Sequence, residues 1–141
     1  MQPLDEYDRT FGVVLDTSGS MDRRLLGKAL GAIASYSVAR DVQAVRVIFC
    51  DAHPYDQGYM SPELIAGRVQ VKGRGGTILM PAIRLLERAE DFPKNAPILI
   101  ITDTECDRIT VQAGRDHAYL IPDGKHLPFP TRADVFKVDR A

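Results

Sequence analysis

Asp16, Ser18 and Ser20 stand at alternate positions in Asp16-Thr17-Ser18-Gly19-Ser20, directly after the apolar run Phe11-Gly12-Val13-Val14-Leu15 and ahead of a helical pattern. A carboxylate and two hydroxyls are thereby set where a strand is expected to turn into a helix, the place at which open α/β sheets bind their ligands. Two later segments have the same layout. Thr77 closes the glycine-rich stretch Gly73-Arg74-Gly75-Gly76, and Asp103 follows the apolar run Ile98-Leu99-Ile100-Ile101-Thr102. Five hard oxygen side chains, Asp16, Ser18, Ser20, Thr77 and Asp103, are therefore expected to meet at one sheet edge. The chemistry this implies is binding of a divalent cation. Few carboxylates, several hydroxyls and room for water suit Mg2+ best, with Mn2+ or Ca2+ as the other candidates.

Electrostatics points the same way. A helix beginning at Ser20–Asp22 presents positive partial charge, which by itself favours an anion. Asp16 and Asp103 at the same edge reverse that field, and without a cation they would repel until one pKa rose. The ordinary reading of Asp16 and Ser18 is a turn and a cap; it explains one segment, not three that converge.

Other chemistries fit less well. A P-loop needs Lys directly before its Ser or Thr, and here Gly76 precedes Thr77, so nucleotide binding is not expected. An Asp at a strand end can act as a nucleophile, which leaves a metal-dependent hydrolase or phosphotransferase using Asp16 and Asp103 as the alternative function. Haloacid-type enzymes place a second Asp two residues on, where this chain has Ser18. His53, His117 and His126 show no zinc spacing, and no His-Glu-x-x-His occurs. Cys50, Asp51 and His53 lie close in sequence, but strand-end burial and a turn account for them better than a soft-metal site. Tyr55 and Tyr59 read equally as core packing or as partner contacts beside the site.

The elements that must position these residues follow from periodicity. Residues 10–16 and 97–102 are continuous apolar runs, expected as central strands buried on both faces. Met21 to Arg40 carries Leu26, Leu30, Ile33 and Ser37 at helical spacing, with Leu25, Ala29, Ala32 and Tyr36 alongside. Gly27 and Gly31 weaken that helix, and close packing on the sheet is the expected compensation. Val45–Cys50 reads as the second strand, residues 55–60 as an edge strand or hairpin arm, and Ser61-Pro62 as a helix start. Helices are expected over 78–90 and 107–113. Ala118–Ile121 and Val135–Val138 are expected as strands, the last at an edge.

The fold class is therefore α/β, with a mainly parallel sheet covered by helices on both faces. The chain of 141 residues fits one domain over 10–141 behind a polar lead-in at 1–9. With 18 basic and 19 acidic residues, no charge excess points to nucleic acid or an anionic membrane. No apolar run approaches a membrane span. The first ten residues lack the apolar core of a signal peptide, and the two cysteines read as free thiols in a reducing compartment. Together these make the cytoplasm the expected location, although the chain could equally be one domain of a longer protein.

Asp-x-Ser-x-Ser at 16–20, Thr77 after its glycines and Thr102-Asp103 at a strand end together resemble the metal-ion-dependent adhesion site (MIDAS) of von Willebrand factor type A domains. The wording Val14-Leu15-Asp16-Thr17-Ser18-Gly19-Ser20-Met21, with Gly73-Arg74-Gly75-Gly76-Thr77 and Pro81, is most similar to the A-like domain at the C-terminus of predicted bacterial metallopeptidases. The resemblance covers roughly residues 10–140. It implies a Rossmann-like doubly wound sheet of about six strands with one antiparallel edge strand. It implies that Ser18 and Ser20 bind the ion directly, and Thr77, Asp16 and Asp103 directly or through water. It further implies a non-enzymatic protein-binding module in which the metal bridges to a Glu or Asp of a partner, with Gly19, Met21, Gly76 and Glu105 as candidate partner contacts. An AAA-type ATPase or a metallopeptidase is the partner class suggested, and any peptidase activity would lie outside this chain. One departure stands out: the family often has Gly after its last Asp, and here Thr104, Glu105, Cys106 and Asp107 follow. Glu105 and Asp107 are expected to be solvated loop charges.

Overall fold

The computed structural model describes residues 10–18, 23–69 and 77–139. The lead-in at 1–9 lies outside them, as do Gly19, Ser20, Met21 and Gly76. In chain order the elements are β1 (Gly12–Asp16), α1 (Arg23–Ala39), β2 (Val45–Cys50), β3 (Pro54–Met60), α2 (Pro62–Arg68), α3 (Met80–Arg88), β4 (Ile98–Ile101), β5 (His117–Pro122) and β6 (Asp134–Val138).

The six strands form one sheet in the order β3-β2-β1-β4-β5-β6. All neighbours are parallel except β3, which returns antiparallel beside β2 as an edge strand. β1 is flanked by β2 and β4, so its whole length is buried. That is why its sequence is continuously apolar rather than alternating. The chain winds outward from β1 to β2 and β3 on one side, then returns through β4 to β5 and β6 on the other. The carboxyl ends of β1 and β4 therefore adjoin at a topological switch point, where such sheets leave a crevice. Asp16 ends β1, and Asp103 lies two residues beyond β4.

Alternation along the strands sends side chains to two cores. On one face Val13, Leu15, Val47 and Phe49 pack with Leu25, Leu26, Ala29 and Ile33 of α1 and Ile65 of α2. On the other, Val14, Ile48, Ile98, Ile100 and Tyr119 pack with Leu79, Ala82, Ile83 and Leu86. Each fully buried Leu or Ile contributes about 2 kcal/mol of transfer free energy. At Gly12 the cover on the sheet leaves no room for a side chain: a Cβ there would lie 2.9 Å from both Leu86 Cδ1 and Phe92 Cζ.

Two expectations need correction and a third holds. Gly27 and Gly31 do not face the sheet: both are exposed, and a Cβ on either would have no neighbour within 4 Å. They lie on the solvent side of α1, opposite Ala29, so close packing does not compensate for their weak helix propensity. Ser61 holds the N-cap position of α2 and Pro62 its first turn, as the sequence predicts, although the serine hydroxyl makes no cap bond. No helix forms over 107–113. That stretch has no regular structure, and from it Ile109 and Val111 pack into the core that holds α3, joined there by Leu127 and Phe129. No helix among the described residues is long and apolar enough to cross a membrane.

Candidate metal centre

Asp16 is the hub of the carboxyl edge. It is 0% exposed, and Ser18, Thr77, Thr102 and Asp103 around it are each at most 5% exposed. Its Oδ1 accepts the Ser18 N–H at 2.9 Å and the Thr77 hydroxyl at 3.1 Å, while its Oδ2 accepts the Thr102 hydroxyl at 2.9 Å. Three segments far apart in sequence thus converge on one carboxylate. Four of the five residues expected from the sequence, Asp16, Ser18, Thr77 and Asp103, lie in this cluster; Ser20 is outside the described residues.

The backbone explains the convergence. Thr17 N–H donates to Cys50 O at 2.8 Å, anchoring the turn after β1 to the end of β2. Ile78 N–H donates to Asp51 O at 3.0 Å, and Thr77 forms a parallel bridge with Cys106, so the Thr77 segment passes between the β2 end and the loop after β4. Asp107 locks that loop in place. Its two carboxylate oxygens accept the N–H groups of Leu79 and Met80, at 2.7 and 3.2 Å, capping α3. Leu79, at the N-cap, has no side chain able to do this. Asp107 is therefore a helix cap supplied from a distant loop rather than a solvated charge, which corrects the sequence reading. Glu105 is exposed as expected, and its N–H donates to Asp103 Oδ1 at 3.1 Å.

Burial raises the Asp16 carboxyl above its ordinary range, the hydrogen bonds from Ser18 and Thr102 pull it back, and the charge of Asp103 pushes it up again. Among the described residues no basic side chain pairs with Asp16 or Asp103; the ion pairs join Arg46 to Asp56 and Asp91, and Arg84 to Glu87. Buried carboxylates side by side without a counter-charge are costly. The donor set is entirely hard oxygen, two carboxylates with neutral hydroxyls, and fits Mg2+ or Mn2+. Cys50 and Cys106 border the cluster as free thiols, each pushed up to about 12 chiefly by burial, so both are neutral at physiological pH. Among the described residues no group of three His, Cys, Asp or Glu side chains is placed to hold a metal. Asp51 accepts the His53 N–H at 3.0 Å in a tight turn, which matches the turn reading of that segment. Tyr59 lies at the opposite edge, its hydroxyl on Asp91 O, and is no contact of this site.

Two residues named in the sequence only as neighbours of Asp103, Thr102 and Thr104, were given no role there. Thr102 is a hydroxyl closing an otherwise aliphatic strand, which is a usable signal. Thr104 has φ +84°, a left-handed conformation rare for a β-branched residue, and nothing in its local sequence announces it. It occupies the position at which the resembled family often carries Gly, the residue suited to that conformation.

The family described as VWA-like domain (DUF2201) matches residues 11–135. No curated protein matches the chain significantly. Among solved structures, the chain is similar to an aerotolerance-related membrane protein from Bacteroides fragilis NCTC 9343, a form with multiple mutations to serines. The TM-score is 0.57 at 22% identity, covering 93% of this chain and 77% of that one. At that identity the likeness bears on the fold alone.

Proposed function

The chain belongs to the family of VWA-like domains, and from that premise we propose that it is a divalent-cation-dependent protein-binding module. Asp16, Ser18, Ser20, Thr77 and Asp103 would hold the ion. When bound, the ion supplies an electrophilic position that a carboxylate oxygen of a partner protein can occupy. The chain's own residues supply the rest. Asp16 and Asp103 bring the negative charge that makes a cation favourable, and the hydroxyls of Ser18 and Thr77 add oxygen donors without cancelling the ion's charge. The reading rests on one observation above all: two buried carboxylates meet at the switch point with no basic side chain among the described residues to balance them.

The same geometry favours binding over catalysis. Both oxygens of Asp16 are buried and engaged by hydrogen-bond donors, which suits a fixed holder better than an attacking nucleophile. Partners of the AAA-type ATPase or metallopeptidase class, presenting an acidic side chain, fit this reading, as does a cytoplasmic setting. Exposed Glu105 borders the site and selects against a partner surface that is acidic throughout.

Thermal unfolding of the wild type and Asp16→Ala, in chelator and then in millimolar Mg2+ or Mn2+, tests the site. At about 100 times Kd a bound ion stabilises by roughly 2.7 kcal/mol, on the order of 5–10 °C for a domain of this size. The expected result is a shift in the wild type and none in the variant. No shift in either, with a silent calorimetric titration at high metal concentration, would end the metal reading.

A further inference from the structure

We propose that Thr102 is a positioning residue of the cation site: its hydroxyl orients the Asp16 carboxylate and ties it to the loop that carries Asp103. The inference rests on the cation reading above. Thr102 is 0% exposed and stands directly before Asp103. A hydroxyl has one proton to give and lone pairs to accept with. Thr102 uses both, donating to Asp16 Oδ2 at 2.9 Å and accepting the Thr104 N–H at 3.2 Å.

The two ends of that bridge matter for different reasons. Asp16 Oδ1 is held by the Ser18 N–H and the Thr77 hydroxyl, and the Thr102 hydroxyl holds Oδ2. Without it a buried acceptor would lose a donor that helps to fix the turn of the carboxylate about its own bond. At the other end, Thr104 sits at φ +84°. Such a conformation persists only where its surroundings hold it, and here the bond to Thr102 does so beside the Glu105 N–H to Asp103 Oδ1 contact. One hydroxyl therefore holds the Asp16 carboxylate and the backbone turn that follows Asp103 at once. Packing alone does not account for this role: valine has the same shape as threonine and would fill the space equally well.

The test is calorimetric titration of the intact chain with MgCl2, comparing wild type, Thr102→Val and Thr102→Ser, with folding of each checked by circular dichroism and melting in chelator. Loss of an outer hydrogen-bond partner of a metal ligand lowers affinity about 10- to 100-fold, and that is the loss expected for valine. Serine keeps the hydroxyl and drops the packing methyl, so it should bind close to wild type. If valine prevents folding, Thr102→Ala removes the hydroxyl without crowding and carries the same expectation. Unchanged affinity in the hydroxyl-free variant would overturn the proposal, and so would a serine variant as weak as valine. A wild type that binds no Mg2+ at all fails the cation reading itself and takes this inference with it, an outcome recognisable before any variant is compared.

Discussion

The two edges of the sheet treat buried charge in opposite ways. At the amino edge Arg46 is 5% exposed, yet its guanidinium reaches both Asp56 and Asp91 and lies over the Tyr59 ring. Its charge is answered within the chain, and its pKa is raised, chiefly by the hydrogen bonds to Asp56. At the carboxyl edge, four positions along the neighbouring strand register, Asp16 is more deeply buried and has only neutral donors. The first arrangement is complete as it stands. The second leaves buried negative charge unanswered among the described residues, which is the condition a cation site would require. Concavity falls at the amino edge instead. An open hollow of about 880 Å³ adjoins the arginine network, lined by Arg46, Asp56, Arg84, Arg88, Glu90 and Asp91, whose charges balance.

Substitutions at each edge should break this contrast if it is wrong. The largest effect is expected at the complete edge. Arg46→Ala removes the buried member of a paired network and should cost about 2–3 kcal/mol in urea unfolding, less than for a fully enclosed pair because both aspartates reach solvent. Its Mg2+-induced thermal shift should survive intact; loss of that shift would mean that the two edges are coupled. Asp16→Asn should do the reverse. In chelator at neutral pH it relieves an unbalanced buried charge but turns one acceptor oxygen into a donor facing the donors around it, so the two effects should offset to within about 1 kcal/mol, and the metal response should vanish. An asparagine variant clearly less stable than wild type in chelator would make Asp16 a structural residue like Arg46.

The smallest effect is in pH. Arg46 holds the Asp56 carboxyl below its ordinary value of 3.8, through hydrogen bonding first and charge second. A carboxyl depressed in the folded state contributes stability that is fully present above the unfolded value and is lost as pH falls through the folded one. Acid unfolding curves should therefore show a component below about pH 4 that Asp56→Asn removes. With its side chain 40% exposed, the component should be modest. An unchanged acid limb in the variant would show that the Arg46 pair contributes nothing measurable.

The elements that build the carboxyl edge were largely legible in the sequence, because the apolar runs at 11–15 and 98–101 are short, continuous and bounded by turn residues, the pattern of interior strands in a covered sheet. The family resemblance carried the residue set further than periodicity could. What was not legible depended on partners remote in sequence. Asp107 looked like a loop charge because nothing near it in the chain needs a carboxylate; the N–H groups it caps begin 28 residues earlier. The expected helix over 107–113 failed for a related reason. Local propensity allowed it, but tertiary packing draws Ile109 and Val111 into the core beside α3 from an irregular loop.

Residue type and spacing alone determined that this is a mainly parallel α/β sheet with oxygen-bearing side chains at its strand ends, since two-sided burial and strand-to-helix turns leave direct marks in composition. Only the tertiary structure decided how those side chains are held: that Thr102 rather than a charged group faces Asp16, that Thr104 takes a left-handed conformation, and that Gly27 and Gly31 face water. Hydrogen-bond partners and burial are relations between distant segments, and they are settled when the chain closes on itself.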